Sequence, residues 1–146
     1  MSDGVVRVLF LCVHNSARSQ MAEGMLREWG GDRFEAHSAG NEVAVVRPLA
    51  IEAMDEIDID ISGQRSKAVS EFGGQRFDFA VTVCDEATEA CPYFPGAVAQ
   101  LHWLFDDPST TLGTDAERLA VFRRVRDEIA EQVRGFINDQ VRMAMG

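Results

Sequence analysis

Cations, cysteines and long apolar runs are all scarce in this 146-residue chain. Fourteen lysines and arginines stand against twenty-four acidic residues, a formal net charge of -10 at pH 7. A phosphate-rich polymer or an anionic lipid surface therefore meets net repulsion, and neither nucleic-acid nor membrane binding is expected. A small anion can still bind where positive groups converge. No stretch approaches the roughly 20 apolar residues that span a bilayer, and Met1 to Arg7 has no apolar run behind a basic flank. The expected location is the cytoplasm. Three cysteines are too few, and odd in number, for a structural disulfide framework in a chain without an export signal; they read as thiols kept reduced until used. Internal repeats, linkers and low-complexity tracts are also missing. With 46% hydrophobic residues the length suits one domain over residues 1–146 with one core, expected as a monomer.

Strand and helix patterns alternate along the chain. Val5 to Leu11 and Phe77 to Val83 are nearly continuous apolar, β-branched runs, as in strands buried on both faces of a parallel sheet. Weaker strands are expected at Phe34 to Ala39 and Ala97 to Leu101. Ser19 to Trp29 places Met21, Ala22, Met25, Leu26 and Trp29 on one helical face before Gly30-Gly31 stops it. Pro48 opens a second helix running to Ile57. Thr114-Asp115-Ala116-Glu117 is a capping box, followed at helical spacing by Leu119, Phe122, Val125, Ile129, Val133, Phe136 and Ile137. The fold class expected is α/β: a single-domain three-layer sandwich around a central four-stranded parallel sheet, with ligands at the carboxyl ends of the strands.

Cys12-Val13-His14-Asn15-Ser16-Ala17-Arg18-Ser19 follows the first strand directly and leads into the first helix. Backbone N–H groups of such a turn and of the helix amino terminus converge on a tetrahedral anion. Arg18 adds a planar fork of donors. In that positive field a cysteine is held as thiolate, which makes Cys12 the candidate nucleophile. Asn15 and Ser19 are placed to hydrogen-bond the sulfur or hold the loop. Alone, Cys12 would read as a small buried hydrophobe at a strand end; the strand before it, the helix after it and the Arg-Ser ending favour chemistry. His14 is expected to point away from the anion and to contribute its backbone only.

From Leu9 to Ser19 the chain resembles the signature loop of the low-molecular-weight protein tyrosine phosphatase superfamily. Ser38-Ala39-Gly40, Pro48-Leu49-Ala50, Gly63-Gln64-Arg65-Ser66-Lys67 and Phe105-Asp106-Asp107-Pro108 extend the resemblance, which within that superfamily is nearer to arsenate reductases of the thioredoxin-coupled type. It implies an enzyme with a low-molecular-weight tyrosine phosphatase-like fold that serves arsenical resistance. The oxyanion site is then Val13 to Ser19, Asp107 before Pro108 is the general acid with Asp106 its nearest competitor, and arsenate is the substrate. Cys12, Cys84 and Cys91 relay a disulfide outward to thioredoxin by thiol–disulfide exchange. No metal or organic cofactor is implied. If residues 85–90 are helical, Cys84 and Cys91 stand about 10 Å apart, beyond the roughly 7 Å that a disulfide tolerates, so bonding requires that segment to unwind; Pro92 anchors its far end poorly.

The resemblance is imperfect in two places. Arg47 stands where many relatives have asparagine before the proline of the second helix. Some of these reductases hold potassium with residues matching Asn15, Glu23 and Ser38 plus an aspartate; here that aspartate is Lys67, whose ammonium would replace the cation, so weak or absent potassium dependence is expected. Two rival functions stay open. A phosphatase would use only Cys12, Arg18 and Asp107, although Ser109 stands where phosphatases of this kind carry an aromatic residue. A non-enzymatic redox sensor or oxyanion-binding module would not need Asp107.

Overall fold

A computed structural model describes residues 4–85 and 91–145. Four strands form one parallel sheet: β1 (Val6–Cys12), β2 (Phe34–Gly40), β3 (Phe77–Thr82) and β4 (Ala97–His102), in the order β2-β1-β3-β4. β1 pairs with β2 along its whole length, from Val6 opposite Phe34 to Cys12 opposite Gly40, and with β3 from Val8 opposite Phe79 to Leu11 opposite Thr82. The chain leaves β1 toward one side and later returns to pair β3 on the other. The crevice beyond the carboxyl ends of β1 and β3 is thus the topological switch point, where open α/β sheets bind ligands.

Among the described residues the α-helices are α1 (Arg18–Gly30), α2 (Pro48–Asp55) and α3 (Asp115–Met145). Alternation along β1 separates two cores: Val8, Phe10 and Cys12 join Met21, Met25, Ala53, Met54, Phe122, Ile129 and Val133 from the three helices. Leu9 and Leu11 face the opposite way, into a smaller cluster with Phe72, Phe77 and Phe94. One layer is therefore helical, and a short 3-10 turn (Val69–Phe72) together with Phe94 covers the other face.

The capping box at α3 closes reciprocally. The Thr114 backbone N–H donates to Glu117 Oε1 at 3.0 Å, and the Glu117 N–H donates to Thr114 Oγ1 at 3.1 Å, which supplies about 1 kcal/mol of helix stability. Gly31 ends α1 with a positive φ of 60°, a conformation that glycine adopts without a Cβ penalty. Arg126 of α3 donates to Ala53 O and to Glu56 Oε1, both at 2.8 Å, tying α3 to the end of α2. At the other end of α2, the Arg47 backbone N–H donates to Ser16 O at 2.8 Å, which draws the chain preceding α2 in beside the β1–α1 loop.

Candidate active site

Cys12, 3% exposed, ends β1 and turns into loop 13–17, which feeds the first turn of α1. Asn15 holds the turn with a φ of 53°, the left-handed region that asparagine tolerates better than most residues. Its side chain is buried and engaged at both the oxygen and the nitrogen. Oδ1 accepts from the Lys67 backbone N–H at 2.8 Å and from Gln20 Nε2 at 2.9 Å, while Nδ2 donates to Ser19 Oγ at 2.8 Å. Ser19 Oγ in turn lies 2.8 Å from Cys12 Sγ. Ser19 Oγ accepts from Asn15 and keeps its own proton, so toward a thiolate at Cys12, which has no proton to give, the serine is the donor. Asn15 and Ser19 thus connect the interior of the loop to the sulfur of Cys12.

Neighbouring loops clamp the outer side. Ser66 Oγ donates to His14 O and accepts from Ala44 N, both at 2.9 Å. The Arg47 N–H donates to Ser16 O at 2.8 Å and the Glu42 N–H to Val13 O at 3.1 Å. The backbone of Arg47 thus braces the loop while its side chain is exposed. Gly40 is the closest approach: a Cβ there would lie 2.6 Å from Val13 O, 2.7 Å from Cys12 O and 2.9 Å from Asn15 N. Only glycine lets β2 end against the loop.

Arg18, 3% exposed, donates from Nη1 to Phe105 O at 3.1 Å and brings Nη2 to 3.6 Å from Asp107 Oδ2. Cys12, His14, Ser16, Ala17, Arg18 and Asp107 line one cleft. Asp107 Oδ1 accepts from the backbone N–H and the hydroxyl of Ser109, leaving Oδ2 toward the arginine. Asp106 is instead exposed and paired with Arg124 at 3.1 Å, so of the two aspartates Asp107 is the one at the cleft. His14 is half exposed at the rim, its Nε2 3.7 Å from Glu42 Oε1.

Cys84 follows β3, fully buried, and the Val83 N–H donates to Leu11 O at 2.9 Å, so it sits at the carboxyl edge beside Cys12. It forms a disulfide with the half-buried Cys91, the two Cα atoms 6.3 Å apart; Cys12 is free. The seven-residue separation is therefore bridged. The helix considered for residues 85–90 lies largely outside the described residues.

Lys67 Nζ lies 3.4 Å from Glu23 Oε1 and donates to Arg65 O at 2.9 Å. Glu23, 3% exposed, also accepts from Ser38 Oγ and from Arg27. An ammonium thus faces the carboxylate that a potassium ion would need, and these residues do not fit that cation. Among the described residues no group of three or more His, Cys, Asp and Glu is placed to hold a metal ion. No helix among them is long and apolar enough to cross a membrane.

Sequence reasoning missed Gln20 and the packing role of Gly40. Gln20 lies on a helix face shared with apolar residues and nothing in its spacing singles it out. Gly40 could have been found from its place at the end of an expected strand, where an interior glycine marks close backbone approach.

Residues 7–144 match the family described as low molecular weight phosphotyrosine protein phosphatase. The chain belongs to that family. Within it, the chain is similar to an arsenate reductase of Halalkalibacterium halodurans, 47% identical over 129 residues that cover 88% of this chain and 93% of the relative. Among solved structures of the family fold, an arsenate reductase in the phosphate binding state superposes with a TM-score of 0.79 at 34% identity, covering 92% of this chain and 98% of that one. A thioredoxin-dependent arsenate reductase of Corynebacterium glutamicum superposes with a TM-score of 0.72 at 26% identity, covering 96% of this chain and 64% of that one.

Proposed function

We propose that the protein is a cytoplasmic, monomeric, single-domain arsenate reductase that works by a three-cysteine relay and is regenerated by thioredoxin. The observation that carries this reading is the Cys84–Cys91 disulfide at the strand edge beside a free, buried Cys12. A phosphatase would need only the cleft. The similarity to named arsenate reductases, one of them thioredoxin-dependent, supports the same reading.

In this reading arsenate is held by the backbone of residues 13–19 and by Arg18. The Cys12 thiolate attacks arsenic, an As–O bond breaks, and Asp107 protonates the departing oxygen so that it leaves as water. Cys84 then attacks Cys12 Sγ. The S–As bond breaks and its electron pair stays on arsenic, reducing As(V) to As(III); arsenite leaves and a Cys12–Cys84 disulfide remains. Cys91 attacks Cys84, releasing Cys12 as a thiolate and producing the Cys84–Cys91 disulfide. A dithiol of the thioredoxin class attacks that bond at Cys91, the more exposed sulfur, and carries two electrons in.

The test is single-turnover arsenate reduction by the wild type and by Cys12→Ser, Cys84→Ser and Cys91→Ser. All three variants should lose multiple turnover. Cys91→Ser should still release one arsenite per chain and accumulate the Cys12–Cys84 disulfide. Rapid Cys12-dependent ester hydrolysis with no arsenite formed would instead establish a phosphatase.

A further inference from the structure

Behind the anion loop, an uninterrupted line of donors runs from the protein surface to the sulfur of Cys12. Arg27 Nη1 donates to Gln64 Oε1 at 2.9 Å, Gln64 Nε2 to Gln20 Oε1 at 2.8 Å, and Gln20 Nε2 to Asn15 Oδ1 at 2.9 Å. Asn15 Nδ2 then donates to Ser19 Oγ at 2.8 Å, and Ser19 Oγ lies 2.8 Å from Cys12 Sγ. Each amide has one possible orientation. Gln20 Nε2 also faces two carbonyls, Asn15 O at 3.0 Å and Arg65 O at 2.9 Å. Gln64 Nε2 also faces Gln20 O at 3.1 Å, and Asn15 Oδ1 receives the backbone N–H of Lys67. Turning any of the three amides round would set acceptor against acceptor or donor against donor. The line starts at a group that can only donate, and three amides aligned head to tail polarise one another in the same sense.

We propose that Gln20 and Gln64 are positioning residues that relay the donor character of Arg27 through Asn15 and Ser19 to Cys12, so that stabilisation of the thiolate depends on a hydrogen-bond chain entering from behind the loop. This rests on the reading of Cys12 as nucleophile. Gln20 is fully buried and holds the Asn15 amide in the orientation that directs the Ser19 proton at sulfur. Without its donor, Asn15 Oδ1 keeps only the Lys67 N–H among these two partners and the amide is freer to turn. If it turns, Ser19 donates to Asn15 and is lost to the thiolate. The glutamines touch neither substrate nor sulfur; they act through the loop.

The measurement is the pH profile of Cys12 alkylation by iodoacetamide, on protein in which Cys84 and Cys91 are disulfide-bonded and Cys12 is the free cysteine. Gln64→Met cuts the chain and leaves every charge in place: Arg18 and Asp107 in the cleft, His14 and Glu42 at its rim, Lys67, Glu23 and Arg27 behind the loop. Its midpoint should move to higher pH by about half a unit, a roughly threefold loss of thiolate below the midpoint. Gln20→Met should move it further. Arg27→Met should move it in the same direction, and adding Arg27→Met to Gln64→Met should add less than Arg27→Met does alone, since only its pairing with Glu23 is then left to lose. A wild-type midpoint in folded Gln64→Met would overturn the proposal, as would a double-variant shift equal to the sum of the singles. Gln64 is only half-buried, so this pair carries the test even if Gln20→Met does not fold. Retained arsenate reduction in Cys12→Ser would sink the functional reading and leave the alkylation result standing.

Discussion

The two sulfur centres at the carboxyl edge of the sheet are built in opposite ways. Around Cys12 the polar side chains are buried and engaged: Asn15, Ser19, Gln20 and Arg18 are each at most 3% exposed and hydrogen-bonded to backbone or to one another. Cys91 packs against the larger core, and the chain after it runs over the smaller one. Phe94 anchors it, edge-on to Phe77, with Gln100 donating to Phe94 O at 2.7 Å, while Tyr93 stands 70% exposed. The difference matches the two tasks proposed for these cysteines. A nucleophile gains from donors already in place when charge develops, since they cost no reorganisation during reaction. A thiol that must reach one sulfur and then offer the resulting bond to a partner gains from looser anchoring.

The largest expected effect comes from breaking the rigid side. Gly40→Ala drives a Cβ into three backbone atoms of the anion loop, none of which is the end of a flexible side chain. It should cost at least about 2 kcal/mol of stability and most of the activity, read by urea denaturation and by single-turnover assay. A folded, fully active Gly40→Ala would show that the loop is less constrained than its geometry implies. A smaller effect tests the internal cation: with Lys67 against Glu23, rates in potassium and in a large organic cation at equal ionic strength should coincide, and strong specific activation by potassium would contradict this arrangement. The smallest effect belongs to the looser side. Tyr93→Ala should change stability by no more than about 0.5 kcal/mol and leave single-turnover arsenite release unchanged. A loss of single-turnover rate would mean that the chemistry extends further along segment 91–96 than its looser anchoring implies.

Much of this architecture is legible in local sequence pattern. The four strands, the three helices and the reciprocal Thr114–Glu117 cap lie close to where that pattern puts them, because periodicity and capping are properties of neighbouring residues. The anion loop is legible for the same reason: strand, turn, Arg18 and helix are contiguous. Asp107 cannot be separated from Asp106 by spacing alone. It takes the ion pair between Asp106 and Arg124, eighteen residues away, to leave Asp107 at the cleft. The partners of Gln20 at residues 64 and 65 are equally hidden, since no local rule predicts which buried amide meets which distant carbonyl.

By itself, then, the sequence determined the order of elements, the position of Cys12 between the first strand and the first helix and the presence of two further thiols, all encoded within short stretches of chain. Tertiary structure alone decided what those groups face: β2 ending on the loop at Gly40, Lys67 opposite Glu23, and Cys84 within bonding distance of Cys91. The physical reason is reach. Hydrogen bonds, ion pairs and disulfides act over a few ångströms, and only packing of the two cores brings residues tens of positions apart within that range.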